Sequence, residues 1–378
     1  MRIYFDNAST TPLLPEVFNY MHEVNSLIYG NPSSIHFFGR QAKIIVEDAR
    51  KILAEGLGAS TGEIFFTSGA TEANNMALYC SVRDLGIQTI ISTKIEHHCN
   101  LHMFDYLEAN NLASIKYLNV NNEGHIDYDQ LDEILCQNND NVMVSLMHGN
   151  NEIGTLNDME RLAEICHNHN VMLHMDSAQT IGKMPIDLSD EKVAFISGSA
   201  HKFHGPKGVG FIYINNNNLI KPLFHGGDQE RGMRSGTENI SGIAGMAKAF
   251  ELASSEMEDR TKILSELRQY FVQQLQDNFE DIIINGSSSS FLPNILSVSF
   301  PPSENVDMLM MNLDISGICA SSGSACSSGV ENDSHVLEEI GHDPKRKTVR
   351  FSFSHLNTKK EVDYVISKLH KLTPERIS

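Results

Sequence analysis

The chain has 378 residues, 41% of them apolar, and Asp plus Glu outnumber Lys plus Arg by 48 to 29, for a formal net charge of −19. That length and apolar share suffice for one large core and a smaller second one, and the acidic balance argues against nucleic acid and anionic membrane surfaces as partners. No run reaches the roughly 18 apolar residues of a membrane span, and the opening Met1-Arg2-Ile3-Tyr4-Phe5-Asp6-Asn7 has no apolar signal region, so a cytoplasmic protein is expected.

Strand-like and helix-like segments alternate along the chain. Arg40 to Glu55 carries Ile44, Ile45, Ala49, Ile52 and Leu53 at helical spacing and runs into Gly56 and Gly58, which suit C-cap positions. Ile64-Phe65-Phe66 is a short strand that hands over at Thr67-Ser68-Gly69-Ala70-Thr71-Glu72 to a helix through Leu78. Further strands are predicted at Thr89 to Ser92, Ile115 to Val120, Val142 to Met147 and Val171 to Met175, with helices between them such as Asp158 to His169. Two more apolar runs, Val193 to Ile196 and Val209 to Ile214, flank a small-residue loop. This alternation indicates an α/β domain around a mostly parallel sheet.

From about Ile240 the texture changes. A charged, proline-free helical stretch runs to Phe279 and is expected to cross between domains. The tail alternates strand (Ile295 to Phe300), helix (Asn305 to Leu313), strand (Thr348 to Phe353) and helix (Thr358 to Leu372), a small α+β domain against which the first residues are expected to pack. The expected division is a large domain over 15–255, and a small domain formed by 1–14 and 256–378.

Several segments carry chemistry. Lys202 lies in Ser199-Ala200-His201-Lys202-Phe203-His204-Gly205-Pro206-Lys207-Gly208, between two buried strands. Desolvation lowers a lysine pKa and frees its amine for a Schiff base with an aldehyde. Read alone, the bland explanation prevails, since most lysines flanked by Gly and Pro are simply exposed. Thr67 to Glu72 sits at a helix N-terminus, where unpaired N–H groups favour an anion, although every α/β protein has such turns. Asp176, at the carboxyl end of a strand, either caps the next helix or faces a ligand in the crevice. His97, in Glu96-His97-His98-Cys99, could stack on a flat cofactor. Arg350, inside an apolar strand, needs a partner, either an internal carboxylate or a substrate carboxylate.

The six cysteines, Cys80, Cys99, Cys136, Cys166, Cys319 and Cys326, form no C-x-x-C pair, which speaks against a zinc ribbon or a thioredoxin-type site. Neither the cluster of His97, His98, Cys99 and His102 nor that of Cys166, His167, His169 and His174 supplies a complete metal-ligand set, and no metal site is expected. His167 and His169 fit a helix end instead. Cys80, Cys136, Cys166 and Cys319 are expected to be buried as small hydrophobes. Cys326 differs. Ser321-Ser322-Gly323-Ser324-Ala325-Cys326-Ser327-Ser328-Gly329 reads as a surface loop presenting a candidate nucleophile.

Together these segments resemble the cysteine desulfurases of the NifS/IscS type (group I), within the class V pyridoxal-phosphate-dependent aminotransferase family. The likeness spans nearly the whole chain. It includes Tyr4 to Pro12, Gly30 to Ser34, Thr67 to Asn75, Glu96-His97-His98, Asn150 to Gly154, Asp176 to Gln179, His201-Lys202, Arg234 to Asn239, the cysteine loop and Arg350. The resemblance implies a fold type I transferase, α/β, with pyridoxal 5′-phosphate on Lys202. Asp176 would pair with the ring nitrogen, Gln179 would touch the ring hydroxyl and His97 would stack on the ring. Ala70, Thr71, Ser199 and His201 would hold the phosphate, joined by Thr237 from the partner subunit of a homodimer. Asn151 and Arg350 would position the carboxylate of L-cysteine, with Asn151 also near the cofactor. Cys326 would take the sulfur as a persulfide, alanine would leave, and an iron–sulfur scaffold or other acceptor protein would receive the sulfur. Cys99 and Cys319 are further thiols near this chemistry. The other reading is a different class V enzyme, namely a selenocysteine or cysteine sulfinate lyase, or an aminotransferase.

Overall fold

The structure, a computed structural model, describes residues 2–137, 141–190, 192–302, 308–322 and 334–370. The chain starts with β1 (Ile3–Tyr4), α1 (Pro15–Leu27) and α2 (Phe37–Gly56). Strands and helices then alternate through β2 (Ile64–Thr67), α3 (Ala70–Leu85), β3 (Thr89–Ser92), α4 (His98–Ala109), β4 (Ser114–Tyr117), α5 (Tyr128–Gln137), β5 (Val142–Met147), α6 (Met159–Asn168) and β6 (Met172–Asp176). Two strands come next, β7 (Phe195–Ser199) and β8 (Gly210–Ile214), with no α-helix before either among the described residues. Among the described residues these strands make a seven-stranded sheet in the order β2-β8-β7-β6-β5-β3-β4. β8 is antiparallel to both neighbours and the other pairings are parallel.

Successive residues of each strand feed opposite faces of this sheet. Phe65, Ile90, Met143, Phe195 and Ile212 pack with α3 and α4. Phe66, Ile91, Val144, Ile196 and Phe211 pack with α1, α2, α6 and α7 (Ile240–Ser255). This is the period of two of a pleated strand, buried on both faces because helices cover both. The result is a three-layer α/β/α body.

The rest of the chain builds a second core. Its elements are α8 (Met257–Asn278), β9 (Ile283–Asn285), β10 (Ile295–Phe300), α9 (Leu309–Ile315), β11 (Ile318–Cys319), β12 (Lys347–Ser352) and α11 (Lys359–Leu369), whereas α10 (His335–Glu339) packs with Ile95 and Ile153. β10 lies between β12 and β9, antiparallel to both. The N-terminus joins this part of the molecule. β1 pairs with β11, and Phe5 inserts its ring among Phe271, Phe351 and Phe353 at centroid distances of 5.9, 6.4 and 5.2 Å.

Several boundaries differ from expectation. The stretch from Ile240 to Phe279 is two helices that meet at Glu256, which caps both. No proline or glycine marks the break. Ser255 Oγ instead donates back to Leu252 O at 3.1 Å, a local bond that competes with helix continuation. The bend also changes partners, since Phe250 and Ala253 lie on the sheet side while Leu264, Leu267 and Phe271 enter the second core. β4 ends at Tyr117, and Val120 makes only an isolated bridge with Ile126. α3 runs beyond Leu78 to Leu85, where Gly86 takes a left-handed φ of 70° and stops it. The helix expected from Asn305 begins at Leu309, with residues 303–307 outside the described set.

Candidate active site

The parallel strands end at a common edge, and there the chain leaves a cavity of about 530 Å³. Register places Asp176, the last residue of β6, opposite Met147 of β5 and Ser197 of β7. Of the residues expected from sequence, Ala70, Thr71, His97, Asn151, Asp176, Gln179, Ser199, His201 and Lys202 line this one cavity.

Asp176 is 6% exposed and is held on both oxygens. Oδ1 accepts from Ala178 N at 3.0 Å, and Oδ2 accepts from Asn74 Nδ2 at 2.7 Å. Among the described residues no α-helix lies between Asp176 and β7, so Asp176 is no helix cap. Lys202 ends a short 3-10 turn after β7, and its Nζ donates to Ala8 O at 2.6 Å and Ser9 O at 3.0 Å. The N-terminal segment thus reaches the catalytic edge. Gln179 Nε2 also donates to Ala8 O, at 2.9 Å, while its Oε1 accepts from Lys183 Nζ at 3.2 Å.

His97 caps α4, with Nδ1 accepting from Cys99 N at 3.1 Å. Nδ1 as acceptor puts the proton of the neutral ring on Nε2. Burial holds its pKa below the usual histidine range against the opposing charge of Asp176, with Lys202 adding to the depression. Burial, then the charges of Lys202, Lys207 and Lys183, brings His201 down to about 4. Glu96 is fully buried and pushed up to about 8 by that burial, although its Oε1 accepts from Met147 N at 2.8 Å.

Opposite Asp176 lies the N-terminus of α3. Its cap residue, Gly69, adds no side chain over the first turn. β8 presses directly under this turn because its first residue is Gly210. A Cβ there would come within 2.4 Å of Gly198 O and 2.7 Å of Gly69 Cα. Small residues therefore let two backbones close a cradle whose floor is helix N–H groups.

Two expected residues lie outside the cavity lining. Thr237 lines an adjoining cleft with Arg234 and Glu238, which shares Ser68 and Gly208 with the cavity. Arg350 is 1% exposed and is not among the cavity-lining residues. It makes an internal ion pair, Nη2 to Asp6 Oδ1 at 2.9 Å, and also donates to Ser9 Oγ at 2.7 Å and Asn151 O at 2.8 Å. It stands one layer behind two residues of the cavity wall, because the Asp6 carboxylate satisfies the charge that burial would otherwise strand. Cys326 lies outside the described residues.

The sequence matches the Aminotransferase class-V family over residues 3–365. The chain belongs to that family. It is similar to the cysteine desulfurase IscS of Dictyoglomus turgidum, 41% identical over 98% of this chain and 94% of the relative. It is 40% identical to the putative cysteine desulfurase IscS 1 of Bacillus subtilis over 96% of each chain. Among solved structures, a NifS-like protein superposes with a TM-score of 0.91 at 38% identity, covering 98% of this chain and 99% of the other. A second, described as SspA in complex with cysteine, superposes with a TM-score of 0.82 at 29% identity, covering 95% and 100%. The α/β/α body is thus the fold type I architecture of pyridoxal-phosphate enzymes.

Class V enzymes use pyridoxal 5′-phosphate, and this cavity fits it. His201 Nδ1 and Thr10 Oγ1 are buried without a hydrogen-bond partner among the described residues, and both residues line the cavity. An amine, a carboxylate and a helix N-terminus around one space match an aldehyde, a ring nitrogen and a phosphate.

Other histidine and cysteine readings resolve differently. His97, His98, Cys99 and His102 do not converge on a common point, and neither does the second sequence cluster. The one grouping within ligand distance among the described residues is Asp132, Cys136 and His169, far along α5 and the end of α6. Cys80 and Cys166 are buried as expected, but Cys136 is exposed and Cys319 only half-buried. α5 buries Leu131 and Leu135, which turns Cys136 to the polar side with Asp132.

Sequence reading gave no role to Asn74 or Glu96, although Asn74 bonds Asp176 directly and Glu96 reaches it through Asn100. Asn74 stands four residues into α3, which returns it to the first-turn face above the sheet. That spacing was the available signal, and nothing in it says which neighbour the amide meets.

Proposed function

We propose that this chain is a pyridoxal-phosphate-dependent cysteine desulfurase that moves the sulfur of L-cysteine to Cys326 and releases alanine. The convergence of Lys202, Asp176 and His97 on one cavity, in a chain with desulfurase relatives over nearly its full length, carries the reading. Residues 15–255 form the cofactor-binding domain, and 1–14 with 256–378 form the small domain that carries Cys326. The two separate cores and the bend at Glu256 support this division.

Lys202 holds the cofactor aldehyde and Asp176 its ring nitrogen. Gln179 meets the ring hydroxyl. Ala70, Thr71, Ser199 and His201 receive the phosphate, with Thr237 contributed by the second subunit of a homodimer. The exposed Phe18, Tyr29, Ile35 and Phe37 are consistent with such a contact. Bound pyridoxal phosphate supplies an electron sink for the substrate carbon skeleton. Lys202 Nζ would accept and return protons at the substrate carbons, and neutral His97, which lines the same cavity, would assist. Asn151 and Arg350 position the substrate carboxylate, Arg350 from behind the cavity wall through its bonds to Asn151 O and Ser9 Oγ.

The sulfur step balances without an external oxidant. The Cys326 thiolate attacks the sulfur of L-cysteine and an S–S bond forms. The C–S bond breaks, and its electrons finish in a C–H bond of alanine. A thiol of ordinary pKa near 8.5 is only partly ionised at neutral pH, so the attack depends on local assistance. Cytoplasmic location, reduced thiols and a protein acceptor that builds iron–sulfur clusters complete the reading.

Mass spectrometry after brief exposure to L-cysteine tests it. One added sulfur mapped to Cys326, absent in Cys326→Ala, is expected. Alanine release with no sulfur on Cys326, unchanged in the variant, would leave a lyase of the same family instead.

A further inference from the structure

Beneath the cavity floor runs a buried polar chain that the sulfur transfer does not use. Ser145, His174 and Asn74 are all 0% exposed. Ser145 Oγ meets His174 Nδ1 at 2.9 Å, His174 Nε2 meets Asn74 Oδ1 at 3.1 Å, and Asn74 Nδ2 donates to Asp176 Oδ2 at 2.7 Å. The second amide hydrogen of Asn74 points to Cys99 Sγ at 3.3 Å.

Bond polarity fixes every proton along it. A carboxylate only accepts, so Asn74 turns its amino group to Asp176 and its oxygen to His174. That oxygen also only accepts, so His174 Nε2 is the donor. His174 Nδ1 then accepts from the Ser145 hydroxyl. Burial keeps the ring neutral, with its pKa down at about 4, although the charge of Asp176 opposes this. A neutral ring has one hydrogen, and this chain leaves one place for it. Ser145 is in turn anchored, since its carbonyl accepts from Ser92 Oγ at 2.6 Å.

We infer that His174 is a positioning residue for the cofactor: through Asn74 it locks the Asp176 carboxylate in the orientation that receives the pyridine nitrogen. Without the Nε2 donor the Asn74 oxygen is left buried and unsatisfied, and only the bonds of its amino group to Asp176 and Cys99 hold the amide. Relief comes when the amide shifts or turns, which loosens its bond to Asp176 Oδ2 or sets its oxygen against that carboxylate. Either change weakens the pairing with a protonated ring nitrogen. The inference rests on the assignment of Asp176 to that nitrogen.

The test compares two ligands that differ only there. The full-length enzyme, freed of cofactor, is offered pyridoxal 5′-phosphate in competition with its carbocyclic analogue, in which C–H replaces the ring nitrogen. A charge-assisted hydrogen bond should favour the natural cofactor by about 10- to 100-fold in the wild type. His174→Phe should cut that preference by about tenfold or more. His174→Gln, whose amide can donate to Asn74 and accept from Ser145, should restore most of it. Asn74→Leu serves as the second variant if the phenylalanine does not fold. Wild-type discrimination that persists in folded His174→Phe, or in folded Asn74→Leu, overturns the relay. Equal binding of both ligands by the wild type overturns the assignment of Asp176 itself, and the relay with it.

Discussion

Two thiols of this chain differ in what their surroundings let them do. Cys99 lines the cavity, close enough to the chemistry to suggest a second sulfur carrier. Its environment argues otherwise. Burial, reinforced by the charge of Asp176, pushes its pKa far above the thiol range, and the thiolate is the nucleophile. Cys99→Ala should therefore leave alanine formation within about twofold of wild type and leave the added sulfur on Cys326. Sulfur found on Cys99 in the wild type by peptide mapping would refute this. Sequence reading found the cavity residues because the chemistry demands particular types: an amine, a carboxylate, an imidazole. It left Arg350 open between two partners, and the structure shows the internal one, Asp6. An arginine in an apolar strand announces the need for an anion but not which anion, since Asp6 lies 344 positions away in sequence.

Elements hold the site through a few buried ties whose partners are distant in sequence. Arg50 of α2 grips Glu230 with two parallel bonds, Nη1 to Oε2 at 2.8 Å and Nη2 to Oε1 at 2.9 Å. Glu230 Oε2 also accepts from Phe66 N of β2, and the guanidinium lies over the Phe66 ring at 4.6 Å. The pair thus joins α2, the edge strand and the turn leading to Arg234 and Thr237. Removing one partner strands the other charge in the interior. Arg50→Leu should cost about 3–5 kcal/mol of stability and, because Glu230 lines the Thr237 cleft, should weaken phosphate-dependent cofactor retention. Chemical denaturation with cofactor release followed in parallel would decide it; a loss below about 1 kcal/mol would mean the pair is replaceable. Strand positions were legible from apolar runs, and β10 falls on the residues expected. The break between α7 and α8 was not, because it comes from a serine side-chain bond and from a change of core.

At the scale of the whole molecule, acidic pH is the condition to which this fold is most exposed. Apart from His201 in the cavity, His148, His174 and His355 have pKa values brought to about 4, and His204 to about 3, each chiefly by desolvation. A histidine free in the unfolded chain titrates near 6.5. Between about pH 6.5 and 4 the unfolded chain therefore binds protons that the folded chain refuses, and stability falls as pH falls. Glu96 acts in the opposite sense. Its folded pKa of about 8 lies above the unfolded value, so its contribution is present at low pH and is lost as pH rises towards 8. Lys183, brought to about 7 by burial and by Lys202, adds stability as pH rises above 7, which offsets Glu96 there. Outside the cavity the balance in the acid range is four histidines against one carboxyl, a net of about three protons and on the order of 4 kcal/mol per pH unit. The holoenzyme should accordingly keep a nearly constant melting temperature from pH 7 to 8 and lose it steeply from pH 6.5 to 4.5. Replacing His148 with Gln should make that acid limb shallower, because one of the four proton-refusing sites is gone. A melting temperature that stays level down to pH 4.5, or an acid limb unchanged in His148→Gln, would show that these imidazoles are not what limits the fold in acid.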